Sequence, residues 1–447
     1  MNEFFNKRVL VVGMAASGIS AGKLLVKLGA KVTLYDAKNV SEDKLAGLEN
    51  CERYFEKDPN EILSRIDILV LSPGVPVRLD FIQKAYELNK SVIAEIELGY
   101  VTSPADFICI SGTNGKTTTT ALTGEIFKNS GAHTYVLGNI GMPICEKSLD
   151  TMKGDVVVAE TAALQLETTE KFKPRAAALL NLTEDHMDRF YTMEYYTECK
   201  MKMFANQDNN DFAVFNYDDP LVRAQSKNVR GNVVFFSRKE IVKGAYVLNN
   251  RIIFEYGDIK LDICDINDVY IPGDHNLENA LAAVCLAAVM GIDAKTIAYT
   301  LKTFKGVEHR IEFVKTVNGI DFINDSKGTN PDATIKAIQA MKKPTVLILG
   351  GYDKHSEFND MFKAFTPLIT GAVILGQTKD KIKACADLNG FKSYKLAETF
   401  DEAVKTAYEM CEYGGVVLLS PACASWGMFT NFEERGRVFK EIVAGLE

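Results

Sequence analysis

The sequence predicts an α/β protein with three domains. Apolar segments of strand length alternate with segments of helical periodicity along the 447 residues, which is the pattern of parallel sheets covered by helices. A chain of this length usually forms about three domains. Because 47% of the residues are hydrophobic and 25% are charged, each domain can bury a sizeable core.

The first region reads as a Rossmann-like domain over residues 1–100. A strand is predicted at 8–13, a helix at about 18–28 and a second strand at 31–36, which together form a βαβ unit. A further strand at 66–71 runs into the turn Ser72-Pro73-Gly74. The turn therefore lies at the same edge of the sheet as the end of the first strand.

The loop Gly13-Met14-Ala15-Ala16-Ser17-Gly18 has the spacing of a dinucleotide fingerprint, and Asp36 stands at the end of the second strand. An NAD-dependent oxidoreductase is therefore one possible function. Ala15, however, replaces the middle glycine, which normally lets the backbone approach a pyrophosphate closely. The replacement favours a modified relative of the nicotinamide site, and a UDP group fits such a site.

A phosphate loop opens the second region, residues 101–305. A strand at 107–110 precedes Gly112-Thr113-Asn114-Gly115-Lys116-Thr117, and a threonine-rich helix follows. This arrangement places backbone N–H groups and a helix N-terminus around an anion, with Lys116 on the outer phosphates and Thr117 on magnesium. The loop is two residues shorter than the general motif, and a glycine turn with a solvated lysine is the alternative. We predict a central P-loop mononucleotide-binding domain with a parallel sheet.

Two more side chains of this region belong to the same sheet edge. Glu160 ends a predicted strand at 155–160, and His186 follows one at 176–181. Either residue alone is as consistent with an ordinary surface position. Together with Lys116 they predict a magnesium and nucleotide site, because hard oxygen ligands suit magnesium.

The third region, residues 306–447, reads as a second Rossmann-like domain. Its predicted strands lie at 321–324, 345–349, 372–375 and 416–419. An alanine-rich helix at 276–290 precedes it.

Composition excludes several classes of partner. The net charge of −8 argues against sequence-independent binding to nucleic acid, which usually needs a basic excess. Nine scattered cysteines without a Cys-x-x-Cys pair suit a reducing compartment. The sequence has neither a signal-peptide pattern nor an apolar run of about eighteen residues. We expect a cytoplasmic monomer without nucleic-acid or membrane partners.

Several motifs resemble those of the Mur ligases of peptidoglycan synthesis, and the resemblance covers essentially the whole chain. The residues that carry it are Gly112 to Thr118, Thr183-Glu184-Asp185-His186-Met187-Asp188-Arg189, Gly273 to Ala280, His309-Arg310, Asn324-Asp325-Ser326-Lys327-Gly328-Thr329-Asn330, Ser420 to Ser425, and Asn431 to Gly436. The last three are most similar to the D-glutamate-adding member.

The resemblance implies an ADP-forming ligase that uses ATP and Mg²⁺ to join D-glutamate to UDP-N-acetylmuramoyl-L-alanine through an acyl phosphate. A sister Mur ligase, folylpolyglutamate synthetase and a P-loop switch without ligase chemistry remain alternatives. The catalytic set would be Lys116, Glu160, His186 and Lys200.

Binding roles carried over from the family fall into four groups. ATP would contact Gly112, Thr113, Asn114, Gly115, Lys116, Thr117, Thr118, Asn279, Arg310 and Asp325. The UDP-sugar would contact Ser17, Asp36, Ser72, Gly74, Asn139 and His186. D-Glutamate would contact Lys327, Thr329, Lys354, Ser425 and Phe432. Magnesium would bind Thr117, Glu160, His186 and a CO₂-derived carbamate on Lys200, which matches the family position better than Lys202.

Three positions depart from the family pattern. Ala162 and Ala163 stand where relatives commonly have serines, and Trp426 stands where a leucine is usual. The lost hydroxyls suggest weaker substrate binding, by about 1 kcal/mol for each hydrogen bond.

Overall fold

A computed structural model describes residues 3–139, 141–353 and 356–446, apart from the side chain of Asp188. The chain forms three sheets and two compact units. One unit comprises Met1–Val269 and Glu278–Thr303, and the other comprises Tyr270–Leu277 and Phe304–Glu447. The predicted α/β class is confirmed, and the predicted helices and strands are present with bounds that differ by a few residues.

The first sheet is fully parallel, with the strand order β3-β2-β1-β4-β5. Its elements are β1 Arg8–Val12, α1 Ala16–Lys27, β2 Lys31–Tyr35, β3 Glu52–Arg53, β4 Ile68–Leu71, α2 Asp80–Glu87, β5 Ser91–Ala94 and α3 Glu95–Val101. Val9, Leu10 and Val11 are fully buried because helices cover both faces. From β1 the chain runs outward through β2 and β3, and it then crosses to the other side of β1, where β4 and β5 lie. The loops after β1 and β4 therefore flank one crevice.

The second sheet has nine strands in the order β14-β13-β12-β11-β10-β9-β6-β8-β7. Its unit contains β6 Asp106–Ser111, α4 Lys116–Asn129, β7 Thr134–Gly138, α5 Ile144–Lys147, β8 Val156–Glu160, α6 Ala163–Leu166, β9 Ala176–Leu179, α7 Met187–Phe190, α8 Met193–Met201, β10 Phe212–Asn216, α9 Pro220–Gln225, β11 Asn232–Ser237, β12 Gly244–Leu248, β13 Arg251–Tyr256 and β14 Ile259–Asp265. Two helices follow, α10 Asp274–Val289 and α11 Ala294–Thr303.

The last strands of this sheet differ from the parallel arrangement that the sequence predicted. β12, β13 and β14 pair antiparallel. Asn249 and Asn250 connect β12 to β13, and both have positive φ, +49° and +61°. Two such residues match the tight hairpin turn that suits twisted strands, and an Asn-Asn pair between strand-length segments is its sequence signal.

The third sheet belongs to the other unit and has the order β15-β16-β20-β17-β18-β19. Its elements are β15 Glu312–Val317, β16 Ile320–Asn324, α12 Pro331–Ala340, β17 Thr345–Gly350, α13 Asn359–Lys363, β18 Ile369–Leu375, α14 Lys379–Leu388, β19 Tyr394–Leu396, α15 Phe400–Met410, β20 Val416–Leu419 and α16 Phe432–Ala444. Only β15 is antiparallel to its neighbour in the described sheet. Within the described residues, none of the helices is both long enough and apolar enough to span a bilayer.

Candidate active site

The phosphate loop joins β6 to α4 and depends on two glycines. Gly112 and Gly115 have φ values of +153° and +83°, which side chains rarely adopt. A Cβ atom at Gly115 would lie 2.3 Å from Oδ1 of Asn279. The side chain of Asn181 secures the loop by accepting a 2.7 Å hydrogen bond from the backbone N–H of Asn114. Because α4 begins at Lys116, its N-terminus faces the loop, as the sequence predicted.

Two lysines meet at one carbonyl oxygen of this loop. Lys116 Nζ donates to the carbonyls of Gly112 and Thr113, both at 2.9 Å. Lys200 Nζ donates to the same Gly112 oxygen at 2.8 Å. Two ammonium groups that share an acceptor repel each other, so the arrangement favours a neutral amine on one of them.

Lys200 is the lysine whose surroundings favour the neutral form. Its residue is only 1% exposed, and Nζ lies 4.5 Å from the centroid of the Tyr196 ring. Burial lowers the pKa of Lys200 well below its usual range, and the charge of Lys116 lowers it further. Lys202, the rejected alternative, instead donates to the carbonyl of Glu167.

Glu160 lies at the end of β8, directly beside β6, where it is paired in register with Ile110. It is 2% exposed. One carboxylate oxygen, Oε1, accepts a 2.8 Å hydrogen bond from Asn139 Nδ2. The other, Oε2, is buried and has no hydrogen-bond partner in the described part of the chain. A buried carboxylate oxygen without a donor is costly, and a cation beside it would offset that cost, so Glu160 fits the predicted metal site.

His186 and Thr117 complete the predicted metal ligands. Thr117 is buried in the first turn of α4. His186 caps α7 with a φ of +53°, and its side chain is 54% exposed, with Nε2 3.8 Å from the Asp185 carboxylate. The described residues contain no cluster of three acidic, histidine or cysteine side chains that could hold a metal ion. The ligand role of His186 thus stays a prediction.

Two of the predicted UDP-binding residues, Asp36 and Ser72, contact the loop at 13–18. Asp36 accepts a 2.8 Å hydrogen bond from the backbone N–H of Met14. Ser72 donates to the carbonyl of Gly13 at 2.7 Å. Ser17 is half-buried and Gly74 is exposed. Asp36 and Ser72 therefore shape the loop itself, and contact of this set with a nucleotide stays a prediction.

Asn139 and Asn279 contact other predicted residues of the first unit. Asn139 donates to Glu160, as described above, so the structure associates it with a predicted metal ligand. Asn279 Oδ1 lies against Gly115 and accepts a 3.2 Å hydrogen bond from Thr119. Asn279 thus lies beside the phosphate loop.

Arg310 and Asp325 belong to the second unit. Asp325 is 2% exposed and accepts a 2.7 Å hydrogen bond from Ser420 Oγ. Burial raises the pKa of Asp325 to about 6, although Arg310 lowers it in part. Arg310 Nε is buried without a hydrogen-bond partner in the described residues.

Three of the predicted D-glutamate residues, Lys327, Thr329 and Phe432, lie near the starts of α12 and α16. Lys327 Nζ is 5.4 Å from the centroid of the Phe432 ring. Thr329 donates its backbone N–H to the carbonyl of Lys327, and Ser425 is buried. The structure thus brings Lys327 and Phe432 together. Lys354 lies outside the described residues.

Sequence reasoning gave no role to Arg435, whose side chain connects the loop that contains Ser326 to the loop that contains Cys423. It is 1% exposed and donates to Ser326 Oγ at 3.0 Å, to the carbonyl of Ser326 at 2.7 Å and to the carbonyl of Cys423 at 3.1 Å. Burial lowers its pKa to about 10. A signal existed, because Arg435 precedes the buried Phe439 and Val443 at helical spacing and so falls on the apolar side of α16.

The positions that depart from the family pattern have ordinary environments. Ala163 is buried in the first turn of α6, and the backbone N–H of Ala162 donates to Gln165 at 3.0 Å. Trp426 is 52% exposed, with its ring edge-on to Tyr352 at a centroid distance of 5.5 Å.

Known proteins with similar sequences match the chain from end to end. Residues 7–94, 110–287 and 309–423 match the MurD-like N-terminal domain, the middle domain and the glutamate ligase domain of Mur ligases. A UDP-N-acetylmuramoylalanine–D-glutamate ligase of Thermoanaerobacter pseudethanolicus is 48% identical over 451 residues, which cover 99% of each chain. The chain belongs to the Mur ligase family. A ligase of the same name from Clostridioides difficile is 44% identical over 448 residues, again 99% of each chain.

Solved structures of Mur ligases share the fold. A UDP-N-acetylmuramate–alanine ligase of Thermotoga maritima, 20% identical, aligns with a TM-score of 0.61 over 98% of this chain and 99% of its own. A MurF ligase of the same organism, solved with ADP, is 17% identical and aligns with a TM-score of 0.60 over 99% of both chains. Membership of this ATP-dependent family does not favour the oxidoreductase that the loop at 13–18 left open.

Proposed function

We propose that this Mur ligase adds D-glutamate to UDP-N-acetylmuramoyl-L-alanine with conversion of ATP to ADP and phosphate, the reaction for which its 48% identical relative is named. The observation that carries the chemistry is the pair of lysines, Lys116 and Lys200, on the Gly112 carbonyl beside the strand that ends in Glu160. The ammonium group of Lys116 supplies positive charge where the phosphates of a nucleotide would lie, and the buried amine of Lys200 lies beside it in its neutral form.

The phosphate loop binds and orients the nucleotide. The backbone N–H groups at the N-terminus of α4 face the anion, and Lys116 neutralises charge on the outer phosphates as phosphoryl transfer proceeds. Thr117, Glu160, His186 and a modified Lys200 would hold magnesium, which neutralises phosphate charge when bound. Thr113, Asn114, Thr118, Asn279, Arg310 and Asp325 would complete the ATP site.

Lys200 takes part as a carbamate. Its neutral amine attacks the carbon of CO₂, a nitrogen–carbon bond forms, and one proton is released to solvent. The product is an anion, so Lys200 attracts the Lys116 ammonium group that it would repel if it were itself an ammonium. Burial that disfavours the ammonium form supports this step, because only the neutral amine carries the required lone pair.

Peptide formation needs an activated acid, because a carboxylate resists attack by an amine. The L-alanyl carboxylate takes the γ-phosphoryl group of ATP to form an acyl phosphate, and the amine of D-glutamate then displaces phosphate. Ser17, Asp36, Ser72, Gly74, Asn139 and His186 would hold the UDP-sugar. Lys327, Thr329, Lys354, Ser425 and Phe432 would hold D-glutamate, whose two carboxylates suit cations and hydroxyls.

The same proposal covers the wider organisation of the chain. We assign the UDP-sugar to residues 1–100, the ATPase chemistry to 101–305, and ATP and amino-acid binding to 306–447. We also propose a cytoplasmic monomer. All nine cysteines are free thiols, as a reducing compartment would maintain.

Release of ADP in a coupled assay tests the reaction. We expect turnover only when UDP-N-acetylmuramoyl-L-alanine and D-glutamate are both present, and little turnover with L-alanine or a diamino acid in place of D-glutamate. Equal ATP hydrolysis with and without either substrate would contradict the proposal and support a P-loop switch. Preference for another amino acid would instead indicate a sister ligase.

A further inference from the structure

Two arginine contacts connect the loop after β4 to the helices that carry His186 and Lys200. In the first contact, the guanidinium carbon of Arg78 lies 4.3 Å from the ring centroid of Tyr191 and 5.8 Å from that of Tyr195. Arg78 follows the Ser72-Pro73-Gly74 turn, and Tyr191 follows α7. A cation over aromatic faces attracts both rings, so this contact links the two segments directly.

In the second contact, Arg189 of α7 reaches the same loop. Its Nη2 donates to the carbonyl of Val75 at 3.0 Å and to Glu167. The Glu167 side chain is only 3% exposed, and Tyr195 donates to its other oxygen at 2.9 Å. Because the Arg189–Glu167 pair is buried and further hydrogen-bonded, it holds Arg189 in place against Val75.

The segment from His186 to Tyr191, which makes both contacts, has two residues in an unfavourable backbone conformation. His186 and Tyr191 flank the four-residue helix α7, and both have positive φ, +53° and +64°. Bulky side chains rarely adopt this conformation, which persists only where surrounding contacts impose it. Arg78 and Arg189 supply such contacts at the Tyr191 end of the segment.

Burial of apolar surface does not explain the first contact, between Arg78 and Tyr191. Tyr191 is 60% exposed, and Arg78 is exposed as well, so neither adds to an apolar core. Their stacking does fix the distance between the Ser72–Gly74 turn and the turn that presents His186. Under the proposed function, these turns face opposite ends of one substrate molecule, the uridine nucleotide and the reacting muramoyl-alanyl part.

We propose that Arg78 and Tyr191 are positioning residues for the UDP-sugar substrate, with Arg189 as the buried anchor of the same contact. They hold the nucleotide-binding turn at the distance from His186 that this substrate spans. The inference rests on the proposed function and goes beyond it, since neither residue belongs to the ATP, metal or amino-acid sites.

Steady-state kinetics of single and double variants test the inference in the full chain. We expect Arg78→Gln and Tyr191→Leu each to raise KM for UDP-N-acetylmuramoyl-L-alanine about threefold to fivefold, the range expected for a partly exposed cation–π contact. KM for ATP and for D-glutamate should stay within about twofold. The double variant should match Arg78→Gln, because that change already removes the Arg78–Tyr191 contact and Tyr191→Leu then has nothing further to remove.

Matched controls separate positioning from a general loss of structure. Tyr191→Phe keeps the aromatic face and should retain wild-type KM. Arg223 stacks on Tyr217 at 4.7 Å in a similar pair that contains none of the predicted site residues, so Arg223→Gln should leave all three KM values unchanged. Thermal unfolding of each variant checks folding.

The inference is overturned if KM for the UDP-sugar stays unchanged in Arg78→Gln and Tyr191→Leu, if KM rises equally for all substrates, or if the two changes are additive. A wild-type chain without D-glutamate-dependent turnover would contradict the proposed function instead. The two failures are therefore distinguishable in one assay.

Discussion

Two loops of the first unit share a local design and differ in charge. The loop at 13–18 follows β1 and enters α1, and the loop at 112–117 follows β6 and enters α4. Around the first loop, the Asp36 carboxylate already accepts the N–H of Met14, and the loop's own side chains are neutral. Around the second, Lys116 and Lys200 converge on Gly112. A strand–loop–helix turn therefore offers only space and backbone dipoles, and the neighbouring charges decide whether it suits a phosphoryl group in transfer.

Glycine serves the two loops in different ways. At Gly18 an added Cβ would lie 1.8 Å from the carbonyl oxygen of Gly13, so glycine allows α1 to approach the end of β1. At Gly115 the requirement is also conformational, since φ is +83°. Gly18 is thus required by packing, and Gly115 by backbone geometry as well as by packing against Asn279; Gly13, with a φ of +88°, shares the conformational requirement of Gly115.

Removing the charge of Lys116 in the phosphate loop should have the largest effect on activity. We expect Lys116→Ala to lower kcat by about a thousandfold or more, because electrostatic stabilisation of phosphoryl transfer is lost. Lys128, exposed at the end of the same helix, provides the control, and Lys128→Ala should retain activity. If Lys116→Ala kept turnover near the wild-type level, the charge of Lys116 would not explain why the second loop suits phosphoryl transfer.

Removing the Lys200 side chain should lower activity severely, and an added small carboxylate should restore part of that activity. We expect Lys200→Ala to reduce kcat by about a hundredfold, with partial recovery on addition of short carboxylates such as acetate, which can replace the carbamate oxygens. Lys202→Ala is the matched control and should show no such recovery, because Lys202 contacts the carbonyl of Glu167 instead. Titration of CO₂ against activity gives a second measurement, and independence from both CO₂ and added carboxylate would contradict the carbamate.

Packing at the first loop predicts a loss of stability rather than of chemistry. Gly18→Ala should destabilise the fold by about 2 kcal/mol, because the new methyl group meets a backbone oxygen that cannot move freely. Gly74→Ala should change stability by less than about 0.5 kcal/mol, since an added Cβ there has open space. Thermal unfolding compares the two variants, and equal midpoints would show that close packing does not limit this loop.

The smallest expected effect concerns Asn139. The family resemblance assigns this residue to the UDP-sugar, whereas its hydrogen bond associates it with Glu160. Because it donates to Glu160, we expect Asn139→Ala to raise the Mg²⁺ concentration for half-maximal activity about tenfold. KM for the UDP-sugar should then change little at saturating Mg²⁺. The opposite result, a raised KM for the UDP-sugar with an unchanged Mg²⁺ requirement, would favour the family-based UDP assignment.

Local signals predicted much of the fold and part of the site. Continuous apolar runs located β1, β6 and β8, because strands buried on both faces need them. The antiparallel strands β12 to β14 were missed, although the two-residue turns Asn249-Asn250 and Gly257-Asp258 mark them. Arg435 was missed because its burial depends on Ser326 and Cys423, which are distant in sequence.

Strand length, glycine spacing and charge position are local properties, so they sufficed to predict the α/β class, the phosphate loop with Lys116 and the strand end at Glu160. Three other features became visible in the folded chain alone: Lys200 shares the Gly112 oxygen with Lys116, Glu160 keeps one buried oxygen without a donor among the described residues, and Arg78 stacks on Tyr191. These features join residues from separate elements. Their energies depend on burial and distance, which no local pattern records.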